Sequence, residues 1–133
     1  MHYLLLTCLD DQKWLALTEA QQKQEMATCE AYAQQLVVSG TVLGGSALHP
    51  ASTATTVRVH AGKRLVTDGP FAETREQLGG YTLVEAKDLD EAINIAAGFL
   101  GDGSVASIEV RPVLELGDVP LQDTAVAAGG SRL

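Results

Sequence analysis

Basic residues are scarce in this chain of 133 residues: nine Lys and Arg stand against seventeen Asp and Glu, for a net charge of −8. Nucleic-acid-binding proteins carry a basic stripe that displaces counterions, and the sequence has no Lys/Arg cluster. We therefore expect neither nucleic acid nor an anionic membrane as a partner.

No apolar run approaches the roughly 20 residues of a membrane span. The apolar start is short and runs into Asp10-Asp11, so we expect no signal peptide and a cytoplasmic location.

Cysteine is equally sparse. Cys8 and Cys29 are too few for a disulfide framework, and neither has a second Cys or His at metal-ligand spacing. We expect two buried thiols, because free cysteine is among the most buried residue types. Oxygen ligands from Asp68, Glu73 and Glu76 would form at best a weak site of the Mg²⁺ type. The sequence therefore predicts no metal and no cofactor.

Hydrophobic patterning predicts a single α+β domain over residues 1–114. Both predicted helices begin with a capping box, at Thr18 and at Asp88, in which side chains satisfy free backbone amides. The chain then becomes small and polar, so we expect a flexible C-terminal tail over residues 115–133. The predicted strands cover residues 2–8, 41–48, 81–86 and 105–111, and the predicted helices cover residues 18–39 and 88–100.

A β-hairpin is inserted between the second and third of these strands. Residues 55–60 and 63–67 alternate polar and apolar side chains. Ala61-Gly62 provides the turn between them, because Gly62 can adopt the left-handed conformation that a short hairpin loop requires. Without this insertion the order of elements is βαββαβ, which is the ferredoxin-like split unit.

The alternation of side chains along the strands gives the sheet two different faces. Two helices can cover only one of them. A second face carrying Tyr3, Leu5, Tyr81 and Leu83 is either a solvated surface, as antiparallel sheets often have, or an interface. We favour an interface with the sheet of a second copy, and so predict a homodimer. The helix-facing set is predicted to be Leu4, Leu6, Cys8, Thr82, Val84, Ala86, Ala106, Ile108 and Val110, and the open set Tyr3, Leu5, Thr7, Tyr81, Leu83, Glu85, Ser107, Glu109 and Arg111.

Two glycine pairs, Gly44-Gly45 and Gly79-Gly80, are candidates for phosphate-binding loops. Neither pair opens a helix after a strand, which is the context that a nucleotide motif requires. Glycine inside a strand more often marks a bulge or a close approach of two backbones. We predict that structural role for both pairs.

The densest set of chemically active side chains lies in residues 68–81, DGPFAETREQLGGY. Asp68 can accept backbone amides and set the turn. Glu73 and Glu76 are spaced to share one side of a helical turn, and paired carboxylates perform acid–base chemistry when their surroundings separate their pKa values. The alternative is a solvated loop with Arg75 as a counter-charge, in which exposed ion pairs contribute little.

This segment resembles the signature of the YCII-related proteins of the DGPF subgroup. The resemblance implies a ferredoxin-like fold that dimerises into an α+β barrel, in a bacterial protein. Members of this subgroup are often encoded beside extracytoplasmic-function sigma factors. The family has no established reaction, although polar residues in its pocket have suggested an enzymatic role. Further similarity covers residues 1–6, 43–48, 53–58, 88–92 and 108–112.

Two functions are compatible with these observations. The first is an enzyme acting on a small molecule in a pocket rimmed by residues 68–77, with Asp68 and Glu73 as acid–base candidates. The second is a non-catalytic ligand-binding protein or a regulatory partner associated with an extracytoplasmic-function sigma factor. The sequence does not decide between them. The residues predicted to contact the ligand are Tyr3, Tyr81, Arg111 and His49.

The roles of the loop residues differ in this interpretation. We expect the carboxylate of Asp68 to cap the turn by accepting backbone amides. Phe71 is expected to anchor the loop against the body of the dimer. Glu73 has no turn to set, and is therefore the better candidate for the group that meets a ligand.

Overall fold

The computed structural model describes residues 1–115, which form a four-stranded sheet, three α-helices and a separate two-stranded hairpin. Apart from Glu115, the predicted C-terminal tail lies outside the described residues. The elements are β1 (His2–Asp10), α1 (Asp11–Ala16), α2 (Glu19–Val38), β2 (Val42–Ala47), a 3₁₀ turn (Ala51–Thr53), β3 (Thr55–His60), β4 (Lys63–Asp68), β5 (Glu76–Glu85), α3 (Leu89–Gly98) and β6 (Ala106–Pro112).

The main sheet is antiparallel throughout, with strand order β2-β5-β1-β6. The central strand β1 therefore pairs with the two strands that come last among those described, β5 and β6. Strands β3 and β4 pair only with each other and form the predicted hairpin. The arrangement confirms the predicted α+β class.

Side-chain caps fix where the two longer helices begin. Thr18 Oγ1 accepts a hydrogen bond from the Gln21 amide at 3.1 Å, and Gln21 Oε1 accepts one from the Thr18 amide at 2.8 Å. This is the predicted capping box. At α3 the Asp88 carboxylate accepts from the Glu91 amide at 2.9 Å, while Glu91 Oε1 accepts from the Lys87 amide instead of returning to Asp88. Half of the second box is therefore formed.

The short helix α1 was not expected from the sequence. The carboxylate of Asp10 caps it, with Oδ1 accepting from the amides of Gln12 at 3.0 Å and Lys13 at 3.3 Å. Asp10 is only 7% exposed, and these two bonds satisfy a polar group that would otherwise be costly to bury. The Asp10-Asp11 pair thus ends β1 by starting a helix.

The hydrophobic core lies between the sheet and helices α2 and α3. Tyr3 and Leu5 are at its centre, 3% and 1% exposed. In the register of the sheet, Tyr3 lies opposite Val84 and Leu5 lies opposite Val110, so all four side chains point to the helices. The predicted helix-facing positions on β5 and β6 agree with this core.

The prediction for β1 is wrong, because its two faces are exchanged. Antiparallel pairing joins odd-numbered residues of β1 to even-numbered residues of β6, and of β5 as far as the bulge at Gly79. Leucine occupies both faces of β1, so alternation alone could not choose between them. Tyr3, Leu5 and Thr7 point to the helices, and Leu4, Leu6 and Cys8 point to the other side.

The side of the sheet away from the helices is still partly apolar. Leu6 lies opposite Tyr81, and Leu4 lies opposite Leu83. Leu78 is 45% exposed beside them. We call this surface the open face, and it consists of Leu4, Leu6, Cys8, Leu78, Tyr81, Leu83, Ser107, Glu109 and Arg111.

Both glycine pairs occur where backbones approach closely. The register of β1 against β5 shifts at Gly79, where a Cβ would lie 2.8 Å from Leu9 Cδ1. A Cβ on Gly45 would lie 2.4 Å from the backbone oxygen of Tyr81, a distance that no side chain tolerates. The predicted structural role of these glycines is confirmed.

Helices α2 and α3 meet at Tyr32. Its hydroxyl donates to the backbone oxygen of Ile95 at 3.0 Å, and its ring packs edge-on against Phe99, with centroids 4.7 Å apart. A Cβ on Gly98 would lie 2.1 Å from the Tyr32 hydroxyl oxygen. The missing side chain of Gly98 therefore makes the room that Tyr32 occupies.

Candidate functional site

An open depression of about 360 Å³ lies where β1 ends and the loop before β5 returns to the sheet. Its volume falls within the range of small-molecule sites. We call it the loop depression. Its lining residues are Asp10, Asp11, Gln12, Ala51, Ser52, Pro70, Glu73, Thr74, Arg75 and Gln77.

One side chain organises the loop on one wall of the depression. Gln77 Nε2 donates to the backbone oxygens of Ala72 and Thr74, both at 3.0 Å, and also lies 3.2 Å from Thr74 Oγ1. Thr74 Oγ1 in turn donates to the backbone oxygen of Glu76. These bonds hold the segment that presents Glu73 to the depression.

The charged groups of the depression differ in whether they are free to bind a ligand. Asp10 is already committed to the amides of α1. Among residues 1–115, neither Glu73 nor Arg75 takes part in an ion pair, and both are exposed. Asp11, at the first turn of α1, adds a second carboxylate. Two carboxylates and one guanidinium are thus available to a small polar molecule.

Asp68 does not take the role predicted for it. It is exposed at the end of β4, opposite Thr55, and within residues 1–115 its carboxylate forms no hydrogen bond. The side chain of a strand residue stands away from the amides that follow it, so the predicted cap is wrong. Thr56 Oγ1 holds the turn instead, donating to the backbone oxygen of Gly69 at 2.8 Å.

Two further expectations for this loop are changed by the structure. Glu76 lies in β5 and not on a helical turn with Glu73, and its Oε2 accepts from Ser107 Oγ at 2.6 Å. Phe71 is 80% exposed, so it does not anchor the loop within its own chain. Its backbone oxygen accepts from Arg58 Nη2 at 3.1 Å.

The residues predicted to contact a ligand do not share one site. Tyr81 and Arg111 lie on the open face, where Arg111 pairs with Glu109. Tyr3 is buried on the opposite side of the sheet. His49 is exposed between β2 and the 3₁₀ turn, and it does not line the loop depression. Of the predicted residues, the depression contains Glu73.

Both cysteine thiols are free and half-buried. Burial raises the pKa of Cys8, and the carboxylates of Glu76 and Glu109 on the neighbouring strands raise it further. Burial and then Glu25 raise the pKa of Cys29 in the same direction. Both effects disfavour the thiolate, which is the reactive form.

Sequence reasoning missed much of the lining of the depression. The sequence pattern predicts only a strand end at Asp11 and only a counter-charge at Arg75. Their proximity depends on how the start of α1 meets the loop before β5, which is a long-range contact. The available signal was the acidic pair following a strand, because acidic residues favour helix N-termini.

Two kinds of feature are absent from the described residues. Across residues 1–115 no group of three His, Cys, Asp or Glu side chains is placed to hold a metal ion. None of the helices described in this range has the length and apolar composition needed to cross a membrane.

Comparison with known proteins identifies relatives over the same region. The family model of the YCII-related domain matches residues 1–115. The chain is also similar to an uncharacterised protein of Rhizobium meliloti (strain 1021), with 35% identity over 114 residues. That match spans 85% of this chain and 92% of the relative. The main sheet, the hairpin and the loop depression all lie within the matched region.

Proposed function

The chain belongs to the YCII-related family, and we propose that it binds a small polar molecule in the loop depression and acts on it there. The observation that carries this proposal is the pair Glu73 and Arg75, both unpaired among the described residues, in a depression of ligand size. A guanidinium binds carboxylate or phosphate oxygens through two parallel hydrogen bonds. A carboxylate nearby can accept a proton from a hydroxyl or amine.

The proposed substrate therefore carries two kinds of group. An anionic oxygen group would pair with Arg75, and a hydroxyl or amine would face Glu73, with Asp11 completing the negative side of the depression. Glu73 is the proposed acid–base residue. Asp68 has no part in it, since it lies outside the lining.

We further propose that the chain is a homodimer of the DGPF subgroup, in which each protomer is a ferredoxin-like unit. The strand order β2-β5-β1-β6 supports this topology. The open face supports the dimer, because Leu4, Leu6, Leu78 and Tyr81 form an apolar surface that helices do not cover. Two such faces stacked on each other would make a dimeric α+β barrel.

A second function uses the same depression without catalysis. Active sites usually exclude water from the reacting groups, whereas this depression is open. That openness favours a ligand sensor, which in this family would be a regulatory partner of an extracytoplasmic-function sigma factor. Both functions require the ligand to meet Glu73.

A thermal-shift screen of small polar metabolites tests the proposal. Compounds carrying an anionic group and an amine or hydroxyl should raise the melting temperature of the wild type. Removing the charge in Glu73→Gln should weaken binding about tenfold, which corresponds to about 1.4 kcal/mol. Glu30→Gln is the matched control, because Glu30 is exposed on α2 and lies outside the depression.

The outcomes separate the two functions. Conversion of the bound compound, detected by mass spectrometry and lost in Glu73→Gln, identifies an enzyme. Tight binding without conversion identifies a sensor. Binding that is equally strong in Glu73→Gln and in the wild type would contradict both.

A further inference from the structure

The imidazole of His2 lies between two carboxylates at one end of the main sheet. Its Nδ1 is 2.7 Å from Glu115 Oε1, and its Nε2 is 3.2 Å from Glu85 Oε2. The His2 side chain is 19% exposed, whereas those of Glu85 and Glu115 are 50% and 59% exposed. Both ring nitrogens of one mostly buried histidine therefore contact acidic groups.

Backbone hydrogen bonds fix this arrangement from two sides. His2 is opposite Glu85 in the register of β1 and β5, and the Ala86 amide donates to the backbone oxygen of Met1 at 2.9 Å. On the other side, the Val113 amide donates to the backbone oxygen of His2 at 2.9 Å. The chain that leaves β6 thus passes beside His2.

The protonation state of His2 decides whether both contacts are favourable, because carboxylates only accept hydrogen bonds. An imidazolium carries an N–H on each ring nitrogen, while a neutral imidazole carries one N–H and one lone pair. In the neutral form one nitrogen turns its lone pair towards a carboxylate oxygen, and two negative ends repel each other. The 2.7 Å distance to Glu115 also falls in the range of a charge-assisted bond. This geometry is that of a protonated His2.

The balance of charge around His2 favours the same state. The N-terminal ammonium of Met1 also contacts Glu85, with its nitrogen 3.2 Å from Oε1. Two positive and two negative charges meet here when His2 is protonated, and one negative charge is in excess when it is neutral. Arg111 is the next charged residue on this face of the sheet, and it pairs with Glu109. Among the described residues, the charged groups facing His2 are thus the N-terminus and the two glutamates.

We propose that His2 is a pH-sensitive latch that holds residues 113–115 against the end of the main sheet. Histidine changes charge between pH 5 and 8. The latch is closed at the acidic end of this range, where His2 is protonated, and open at the alkaline end, where it is neutral. It requires neither a ligand in the loop depression nor a second copy of the chain.

The contact to Glu115 is the one that opens. Glu85 belongs to β5, which is paired with β1, and it keeps the ammonium of Met1. Glu115 lies beyond the end of β6 and follows Leu114, which is 76% exposed and holds the segment weakly. Deprotonation of His2 therefore frees the chain at Glu115 while the sheet stays intact.

Hydrogen exchange of the Val113 amide, measured by NMR, tests the latch. This amide donates to the backbone oxygen of His2, so its protection factor, taken against the intrinsic rate at each pH, reports local opening at the latch. Partly exposed ion pairs shift an equilibrium by roughly twofold to fivefold. The protection factor of the wild type should therefore fall by about that factor between pH 5 and pH 8.

Two variants separate the latch from other causes. His2→Gln has no titrating ring, so Val113 should keep one protection factor across this pH range. Glu115→Gln should also remove the pH dependence, because a carboxamide can donate to the neutral imidazole or accept from the charged one. His60→Gln is the matched control: His60 is exposed at the end of β3, and this variant should behave as the wild type does.

Three results would each overturn the proposal. The first is a fall of equal size in His2→Gln and in the wild type, because the titration would then belong to another group, such as the N-terminal amine that both proteins retain. The second is a wild-type protection factor that stays constant between pH 5 and pH 8. The third is a fall that persists in Glu115→Gln, which would mean that His2 titrates without holding Glu115.

Discussion

The pKa of the Cys8 thiol reflects its surroundings on the open face. Burial and the carboxylates of Glu76 and Glu109 raise its pKa, so less thiolate is present at mildly alkaline pH than for a free cysteine. We expect iodoacetamide to alkylate Cys8 more slowly than a free thiol at pH 8.5. Glu109→Gln should speed the reaction without restoring the free-thiol rate, because burial is the larger cause. Mass spectrometry of the Cys29→Ser protein measures this reaction alone.

The same raised pKa values predict how stability depends on pH. The pKa of Cys8, Cys29 and Tyr32 is higher in the folded chain than the ordinary values of 9.0 and 10.0. Their contribution is fully present below those ordinary values and is lost as pH rises through the folded ones. We expect the free energy of unfolding, measured by urea titration, to fall above about pH 9. A stability that rose over that range would contradict these shifts.

Replacing Gly98 by alanine is expected to destabilise the protein, whereas the same substitution at most helical glycines is stabilising. Alanine normally stabilises a helix by about 1 kcal/mol over glycine. Here a Cβ would lie 2.1 Å from the Tyr32 hydroxyl oxygen, so Gly98→Ala should displace Tyr32 and reduce stability by about 1–3 kcal/mol. In a Tyr32→Ala background the same substitution should become neutral or stabilising, and denaturant titration of all four proteins measures the coupling. Additive effects would rule out this clash.

At the scale of elements, a matched pair of substitutions compares the Thr18 cap, which the structure contains, with the Asp68 cap, which only the sequence predicts. Thr18→Ala removes the hydrogen bond from the Gln21 amide, which is one half of the capping box, and should reduce stability by about 1 kcal/mol. Asp68→Ala removes a carboxylate that bonds to no described residue, and should change stability by less than about 0.5 kcal/mol. Urea denaturation measures both. A larger loss of stability in Asp68→Ala would indicate that Asp68 does cap the turn.

The elements that could be predicted from the sequence are those with strong local signals. The start of α2, the hairpin turn at Ala61-Gly62 and the bulge at Gly79 each depend on a few neighbouring residues. The face of β1 could not be predicted, because leucine occupies alternate positions on both sides and the choice depends on pairing with distant strands. The loop depression is equally long-range: Asp11 and Glu73 come together only when α1 meets the loop before β5.

At the scale of the whole molecule, replacing leucine by aspartate is expected to have different effects on the two sides of β1. Leu5 is 1% exposed in the core, so Leu5→Asp buries an unpaired charge and should unfold the protomer. Leu6 is on the open face beside Tyr81, so Leu6→Asp should leave the fold intact and shift the protein from dimer to monomer. Circular dichroism and light scattering separate these results. A Leu6→Asp protein that remains dimeric would contradict the sheet-stacking proposal.

The position of β1 also determines when the protein can fold during its synthesis. Of the six described strands, β1 is the first to leave the ribosome, and it lies between β5 and β6, the last two of these strands to be made. Until about residue 85 has emerged β1 has neither neighbour, and until about residue 112 it still lacks β6, so its leucines lack part of their native contacts. Contacts that join distant parts of a chain form slowly, and unpaired apolar strands aggregate while they wait. The yield of native protein should therefore depend on chaperones and growth temperature more than its size suggests.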